Sequence, residues 1–358
     1  MAATDYAVND PLAVKVWSKA IAREALKQTY IGKFIDQGDS ALIQEKVELK
    51  KSAGDKITIG LRMQLTGDGV TEGETQEGNE EALTTYSDAV LINELGHAVR
   101  SRSRVSRQRV PFNVRAEARD GLGDWFSDRL DVSFFNQICG NTAETRLKFS
   151  GLNSTIAPDA NHRLFANSGT NTTDQAVNGD NTAIMTLAYI DKAVALAKTS
   201  TPMIRPIKIN GESKWVMFLH PWQVYSLRTN TNSGQWLDIQ KAAMTGGQVS
   251  KNPIYTGALG EYNGVILHES VRVTNGVHST SGAAQTSTRR AVLCGAQAGV
   301  IAFGQGMGFN KWEWVEDDFD YEREFGVSAM TIVGVKKLQF NSADFSTIVV
   351  TTYAVQPT

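Results

Sequence analysis

Residues 93–125, NELGHAVRSRSRVSRQRVPFNVRAEARDGLGDW, change periodicity half-way along, and that change decides the fold. Up to about residue 105 the stretch reads as extended chain. In a strand Arg100, Arg102 and Arg104 fall on one side, and Ser101, Ser103 and Val105 on the other. Over 113–140 the spacing turns helical: Val114, Ala118, Leu122, Trp125, Phe126 and Val132 gather on one face. Glu117, Asp120, Asp124, Asp128 and Asp131 form an acidic stripe on the opposite face. Such a helix is roughly 40 Å long. Gly121 and Gly123 each weaken it by about 1 kcal/mol, so tertiary packing must hold it.

Upstream, KITIGLRMQL (56–65) places Ile57, Ile59, Leu61, Met63 and Leu65 at period two, which predicts a strand. TTYSDAVLINELGHAVRSRSR (84–104) predicts a second extended run. Between them lies TGDGVTEGETQEGNEEA (66–82), acidic and glycine-rich, without a single basic residue. Two strands and this connection make a protruding β-hairpin whose tip has almost nothing to bury and gains no stability by itself. Residues 11–35 read as a helix with an imperfect apolar stripe, interrupted by Glu24, which suits an arm packed on something else.

Downstream, 141–182 is rich in Asn, Thr, Gly and Ser and reads as loop, and IMTLAYIDKAVALAKT (184–199) as a short helix. RPIKINGESKWVMFLHP (205–221) reads as a hairpin turning at Asn210-Gly211. Asn263-Gly264 and Asn275-Gly276 predict further turns. RAVLCGA, FGVSAMTIVGV and STIVVTTYAV are candidate strands near the C-terminal end. The order of elements predicts an α+β protein without internal repeats.

The 358 residues suffice for two compact domains or one large elaborated one, and 41% hydrophobic residues fit a globular chain. The apolar runs are too short to span a bilayer, no signal peptide is visible, and no membrane partner is expected. Cys139 and Cys294 lie in apolar surroundings and predict buried free thiols.

No catalytic constellation emerges. There is no G-x-S-x-G elbow and no Walker A sequence, and the glycines at 67, 69 and 73 and at 304, 306 and 308 fail the dinucleotide spacing. The five histidines and two cysteines never reach metal-ligand spacing, so neither a metal nor a cofactor is expected. The acidic run EWVEDDFDYERE (313–324) lacks the order of a calcium loop and reads as a solvated strand edge or a surface for a basic neighbour. His220-Pro221 reads as a turn, not a catalytic base.

The remaining signal is charge. Five arginines, Arg100, Arg102, Arg104, Arg107 and Arg109, occupy ten positions of a chain whose net charge is only −2. Guanidinium groups repeating at about 7 Å along a strand repel one another unless an anion lies alongside. Phosphates are one candidate. The hairpin tip's own Glu72, Glu74, Glu77, Glu80 and Glu81 are the other, and a charged strand facing solvent is the third reading. No aromatic residue falls between Tyr86 and Phe112, so single-stranded bases would find no stacking platform. That favours pairing between the arginines and the acidic tip of a neighbouring subunit.

GVTEGETQEGNEEAL, the 93–125 stretch, NPIYTGALGEYNGVILHES (252–270) and GAQAGVIAFGQG (295–306), in this order, resemble tailed-bacteriophage major capsid proteins of the podovirus-type branch. The resemblance covers about residues 10–350. It implies an α+β fold with an N-terminal arm (1–53), an extended β-hairpin loop (54–96) and a peripheral domain over 97–182 with a spine helix at 113–140. An axial domain over 183–288 and a β-rich return to the peripheral domain over 289–358 complete that layout. It further implies self-assembly into hexamers and pentamers around packaged double-stranded DNA held without sequence-specific contact. Scaffolding and portal proteins are the implied partners, and a decoration protein is a further candidate. On the inner wall of a shell the acidic helix stripe would repel the DNA. Some relatives link subunits through a lysine on the extended loop; no lysine occurs between Lys56 and Lys148, so that bond is not expected. The short arm implies a separate scaffolding protein. A nucleic-acid-binding protein using the 100–109 run, and a tail or ring component, are the alternatives.

Overall fold

The computed structural model describes residues 29–50, 54–103, 114–209, 211–230, 260–308 and 312–357. Along the chain, a 3-10 turn (Tyr30–Phe34) leads into β1 (Ile35–Asp36) and β2 (Ile43–Lys46), then the hairpin β3 (Lys56–Arg62) and β4 (Thr85–Leu91). β5 (Asn93–Ser101) precedes the long α1 (Val114–Ile138) and the single turn α2 (Leu147–Ser150). β6 (Arg163–Phe165), α3 (Asp174–Gly179) and α4 (Leu187–Thr199) follow, then β7 (Ile207–Ile209), β8 (Glu212–Leu219) and α5 (Pro221–Thr229). Next come β9 (Gly260–Tyr262), β10 (Val265–Glu269), the short β11 (Gly276–Val277) and β12 (Ala284–Gln285), and β13 (Thr288–Cys294). The chain closes with β14 (Gly299–Phe303), β15 (Glu313–Phe319), β16 (Glu324–Lys337), β17 (Gln339–Phe340), β18 (Ala343–Asp344) and β19 (Thr347–Tyr353).

Two sheets and α1 make the body. In the first, β16 carries β5 along one edge and β15 then β14 along the other, and β14 continues to β2 and β1. β16 alternates buried and half-buried positions along most of its length, with Phe325, Val327, Ala329 and Val333 inward toward α1. The second sheet runs β6-β19-β13-β8-β10-β9, with β7 on β8. It is covered on both faces: Val216, Phe218 and Val292 face the α1 cluster, while Met217, Leu219 and Leu293 face the one that holds α4. Double coverage explains why β13 is buried at every position, where a half-exposed strand would alternate. Residues 289–358 thus serve both sheets: β14, β15 and β16 the first, most of β13 and all of β19 the second.

α1 joins them. Phe126 meets Trp312 next to the first sheet at 4.2 Å, and Phe135 meets Phe218 of the second at 5.4 Å. The helix is therefore buried on nearly all sides from Phe134 to Ile138, and the two-faced pattern holds only for its first turns.

Several expectations change. Strand β3 ends at Arg62, so Met63 and Leu65 lie beyond it. The extended run 84–104 divides at Ile92, where the chain leaves β3 as partner and takes β16. Residues 141–182, read as loop, hold α2, β6 and α3. Gly276 opens β11 and marks no turn; a Cβ there would sit 2.6 Å from Thr288 Oγ1 and 2.9 Å from Asp174, so close approach requires the glycine. Asn263 and Gly264 do turn with positive φ between β9 and β10. Most of the helix read over 11–35 lies outside the described residues; its end forms the 3-10 turn.

Candidate assembly interface

The hairpin has a fixed root and a bare tip. Ile57, Val90 and Ile92 at the root pack with Val300, Ala302, Leu338, Phe340 and Phe345. The Asn153 side chain bonds both the N–H and the C=O of Leu91, at 2.9 and 2.7 Å, as an added strand would. Asp88 pairs with Lys336 and accepts the Gln339 N–H at 3.0 Å. Beyond the root every residue from 71 to 85 is exposed.

With no core to use, the tip satisfies its backbone with its own carboxylates. Glu81 accepts the N–H groups of Thr66 and Gly67 at 2.9 and 2.7 Å, and these bonds hold its carboxyl below the usual carboxylate range. Glu74 accepts the Thr71 N–H and Glu80 the Gly78 N–H, both at 2.8 Å. Of the five candidate glutamates, three are therefore staples of the loop. The carboxylates of Glu72 and Glu77 have no hydrogen-bond or ion-pair partner among the described residues.

The arginines are less uniform than their spacing. Arg100 bonds Glu324 of its own chain through Nε at 2.8 Å and Nη2 at 2.7 Å, and lies 4.2 Å from the Phe319 ring centre. Arg102 is exposed just past the end of β5. Arg104, Arg107 and Arg109 lie outside the described residues. The acidic run 313–324 spans the edge strand β15, the turn after it and the first residue of β16, and it engages basic residues of its own chain, Arg115 with Glu316 as well as Arg100 with Glu324. The chain thus does not bring Glu72, Glu74, Glu77, Glu80 or Glu81 to its own Arg100.

The acidic stripe on α1 is broken by the fold. Glu117 and Asp124 are exposed, Asp120 pairs with Arg119 at 2.7 Å, and Asp128 pairs with Arg272. Asp131 is buried. It accepts the N–H groups of Tyr30 and Ile31 at 3.0 and 3.1 Å, which ties the 3-10 turn to the helix. Burial pushes its carboxyl up to about 6 against the pull of those two donors.

His220 caps α5, accepting the Trp222 N–H at 3.2 Å, and burial with the nearby Arg289 brings its ring down to about 4. Cys139 and Cys294 are free and buried. Among the described residues no group of three or more His, Cys, Asp or Glu side chains could hold a metal, and no helix is long and apolar enough to cross a membrane.

One feature was missed in the sequence. Trp125 and Arg129, one helical turn apart on α1, form the centre of a stack with His97, Phe149 and Arg146. The i,i+4 spacing of an aromatic residue and an arginine was the available signal.

Comparison with known proteins places this architecture. The profile of the phage capsid protein family matches residues 5–356. The chain belongs to that family. It is 30% identical to the major capsid protein of Pseudomonas phage KPP25, over 93% of this chain and 93% of the relative. The solved capsid of Ralstonia phage GP4 superposes with a TM-score of 0.76 at 33% identity, covering 100% of both chains. The cyanophage Pam1 capsid asymmetric unit superposes with a TM-score of 0.74 at 22% identity, covering 93% of this chain and 94% of that one, and shows the shared fold. The α+β arrangement is therefore the tailed-phage capsid fold, and the protein is a structural component of a virion.

Proposed function

We propose that copies of this chain tile the icosahedral head shell of a tailed phage as hexamers and pentamers enclosing double-stranded DNA. The carrying observation is the superposition on the Ralstonia phage GP4 capsid at 33% identity over 100% of both chains. The anchored hairpin with a solvent-exposed acidic tip supports it, because such a tip gains partners only when another subunit arrives.

The arm, extended loop, peripheral and axial regions keep the order read from the sequence, with the loop ending near Ile92, where the chain passes to β16, and assembly proceeds in the host cytoplasm with scaffolding and portal proteins. Decoration proteins, where present, bind the outside. The DNA meets the inner wall without base-specific contact. Charge pairing between the tip glutamates and the arginines from 100 to 109 of a neighbour contributes to the interface, and Arg100 joins it only by leaving Glu324. A single exposed ion pair is worth about 0–1 kcal/mol. Weak contacts repeated around a shell let misplaced subunits leave before they are trapped.

The test is negative-stain microscopy of the protein co-expressed with its scaffolding partner. Closed shells of uniform diameter are the expected product. Open tubes or rings would favour a tail component, and persistent soluble subunits at high concentration would sink the reading.

A further inference from the structure

Among the described residues the hairpin of β3 and β4 is a two-stranded sheet of its own, with no backbone ladder to either sheet of the body. The chain passes from it into the first sheet over the single residue Ile92. One residue between two ladders is a hinge unless something else fixes it. The apolar cluster at the root resists separation, but apolar packing is non-directional and sets no angle. Hydrogen bonds are directional, and at this hinge they are concentrated.

Residues of an antiparallel strand turn their backbone groups alternately toward the partner strand and away from it. Ile92 gives its N–H to Asp55 inside the hairpin at 3.0 Å, so Leu91 and Ala89 direct theirs outward. Side chains meet all of these outward groups. Asn153, only 4% exposed, accepts the Leu91 N–H at 2.9 Å and donates to the Leu91 C=O at 2.7 Å. Lys336 Nζ donates to the Ala89 C=O at 2.9 Å and pairs with Asp88. Asp88 in turn accepts the Ala89 N–H at 2.7 Å and the Gln339 N–H at 3.0 Å. Both sides of this clasp are themselves held. Gln137 of α1 donates to the Asn153 carbonyl at 2.7 Å, and Lys336 is part of β16. The direction of the hairpin is thus referred to the long helix on one side and to the first sheet on the other.

We propose that Asn153, Asp88 and Lys336 are positioning residues that fix the angle at which the hairpin leaves the body, and that this angle sets the curvature of the shell. The second half rests on the shell reading, and the first does not. The Asp88 and Lys336 side chains are 11% and 15% exposed, so they offer little surface to a neighbour and act through the hairpin. An arm that leaves every subunit at one angle lets copies join at one inclination and close at one diameter. An arm that swings lets them join at several.

Nitroxide labels on Thr85→Cys, at the far end of β4, and on Asp124→Cys of α1 read the angle in free subunits. Both positions are exposed, and the native Cys139 and Cys294 are buried and take no label. Pulsed electron paramagnetic resonance should give one narrow distance in this background. Adding Lys336→Met, or the near-isosteric Asp88→Asn, should replace that peak by a broad distribution while the melting temperature stays in place. Lys336→Arg, which keeps a cationic donor, should preserve the peak. Asn153→Ala tests the helix side; because it empties a buried position, the Lys336 and Asp88 variants decide where it fails to fold. A broad distribution already in the labelled background, or a narrow one in both Lys336→Met and Asp88→Asn, overturns the clasp.

Assembly reads the second half. Co-expressed with the scaffolding partner, the unlabelled wild-type chain should give shells of one diameter, and Lys336→Met and Asp88→Asn shells of mixed diameter or open sheets. Lys336→Arg should restore the single diameter. A merely structural role would lower melting temperature or yield and leave the diameter of the surviving shells alone. Uniform shells from variants whose label distance has broadened overturn the link to curvature. Failure of the wild-type chain to form shells overturns the shell reading, and that link with it, while the label distances in free subunits still decide the clasp.

Discussion

Asp131 fastens the start of the described chain to the middle of α1 with two backbone N–H groups. Burial raises its carboxyl to about 6 from an ordinary value near 4. The folded state therefore holds the proton more tightly than the unfolded one. The contribution to stability is full below the unfolded value, and it is lost as pH rises through about 6. Asp131→Asn should abolish this slope. Thermal melts of free subunits should show wild type gaining on the variant as pH falls from 7 to 4, by roughly 3 kcal/mol at most. Arg100 and Glu324 make a contrasting pair, with the arginine side chain 54% exposed. A double-mutant cycle of Arg100→Gln and Glu324→Gln should give a coupling of about 0–1 kcal/mol in subunit stability. At this scale the sequence was only partly readable. Five carboxylates at helical spacing predicted one solvated stripe, yet Asp131 is an internal anchor, because the 3-10 turn that buries it lies some hundred residues away in the chain.

The hairpin is an element with a root and a tip of opposite character. At the root, Gly334 of β16 lets β4 cross closely: a Cβ there would stand 2.1 Å from the Leu91 carbonyl oxygen. Gly334→Ala should destabilise the subunit by about 1–3 kcal/mol, read by chemical denaturation, since backbone must move to admit the methyl. At the tip, Glu81→Ala removes the bonds to Thr66 and Gly67. The melting temperature should stay unchanged while hydrogen exchange at residues 66 and 67 accelerates, because the tip adds nothing to the core. Period two announced β3, and the helical spacing announced α1 within two residues of its observed ends. The division of β4 from β5 was not announced. Both halves are extended, and only their partners, β3 and β16, differ.

For the whole molecule, the tip should matter to assembly and not to folding. Replacing residues 66–81 by a short glycine-serine turn should leave the subunit's melting curve in place and abolish closed shells in the microscope. Retained shells would show that the hairpin is dispensable. The sequence by itself determined the α+β class, the protruding acidic hairpin, the long helix and the capsid family phrases, because periodicity, turn chemistry and composition are local properties of the chain. It also located the charges. Which charge meets which partner was decided by the tertiary structure alone: Glu324 reaches Arg100 across β16 and β5, and Trp125, Phe149 and His97 close around Arg129 from three separate segments. The reason is range. A strand or helix pattern is set by neighbours a few positions apart, whereas an ion pair or a cation–π stack depends on distances that only the packed sheets and helix establish.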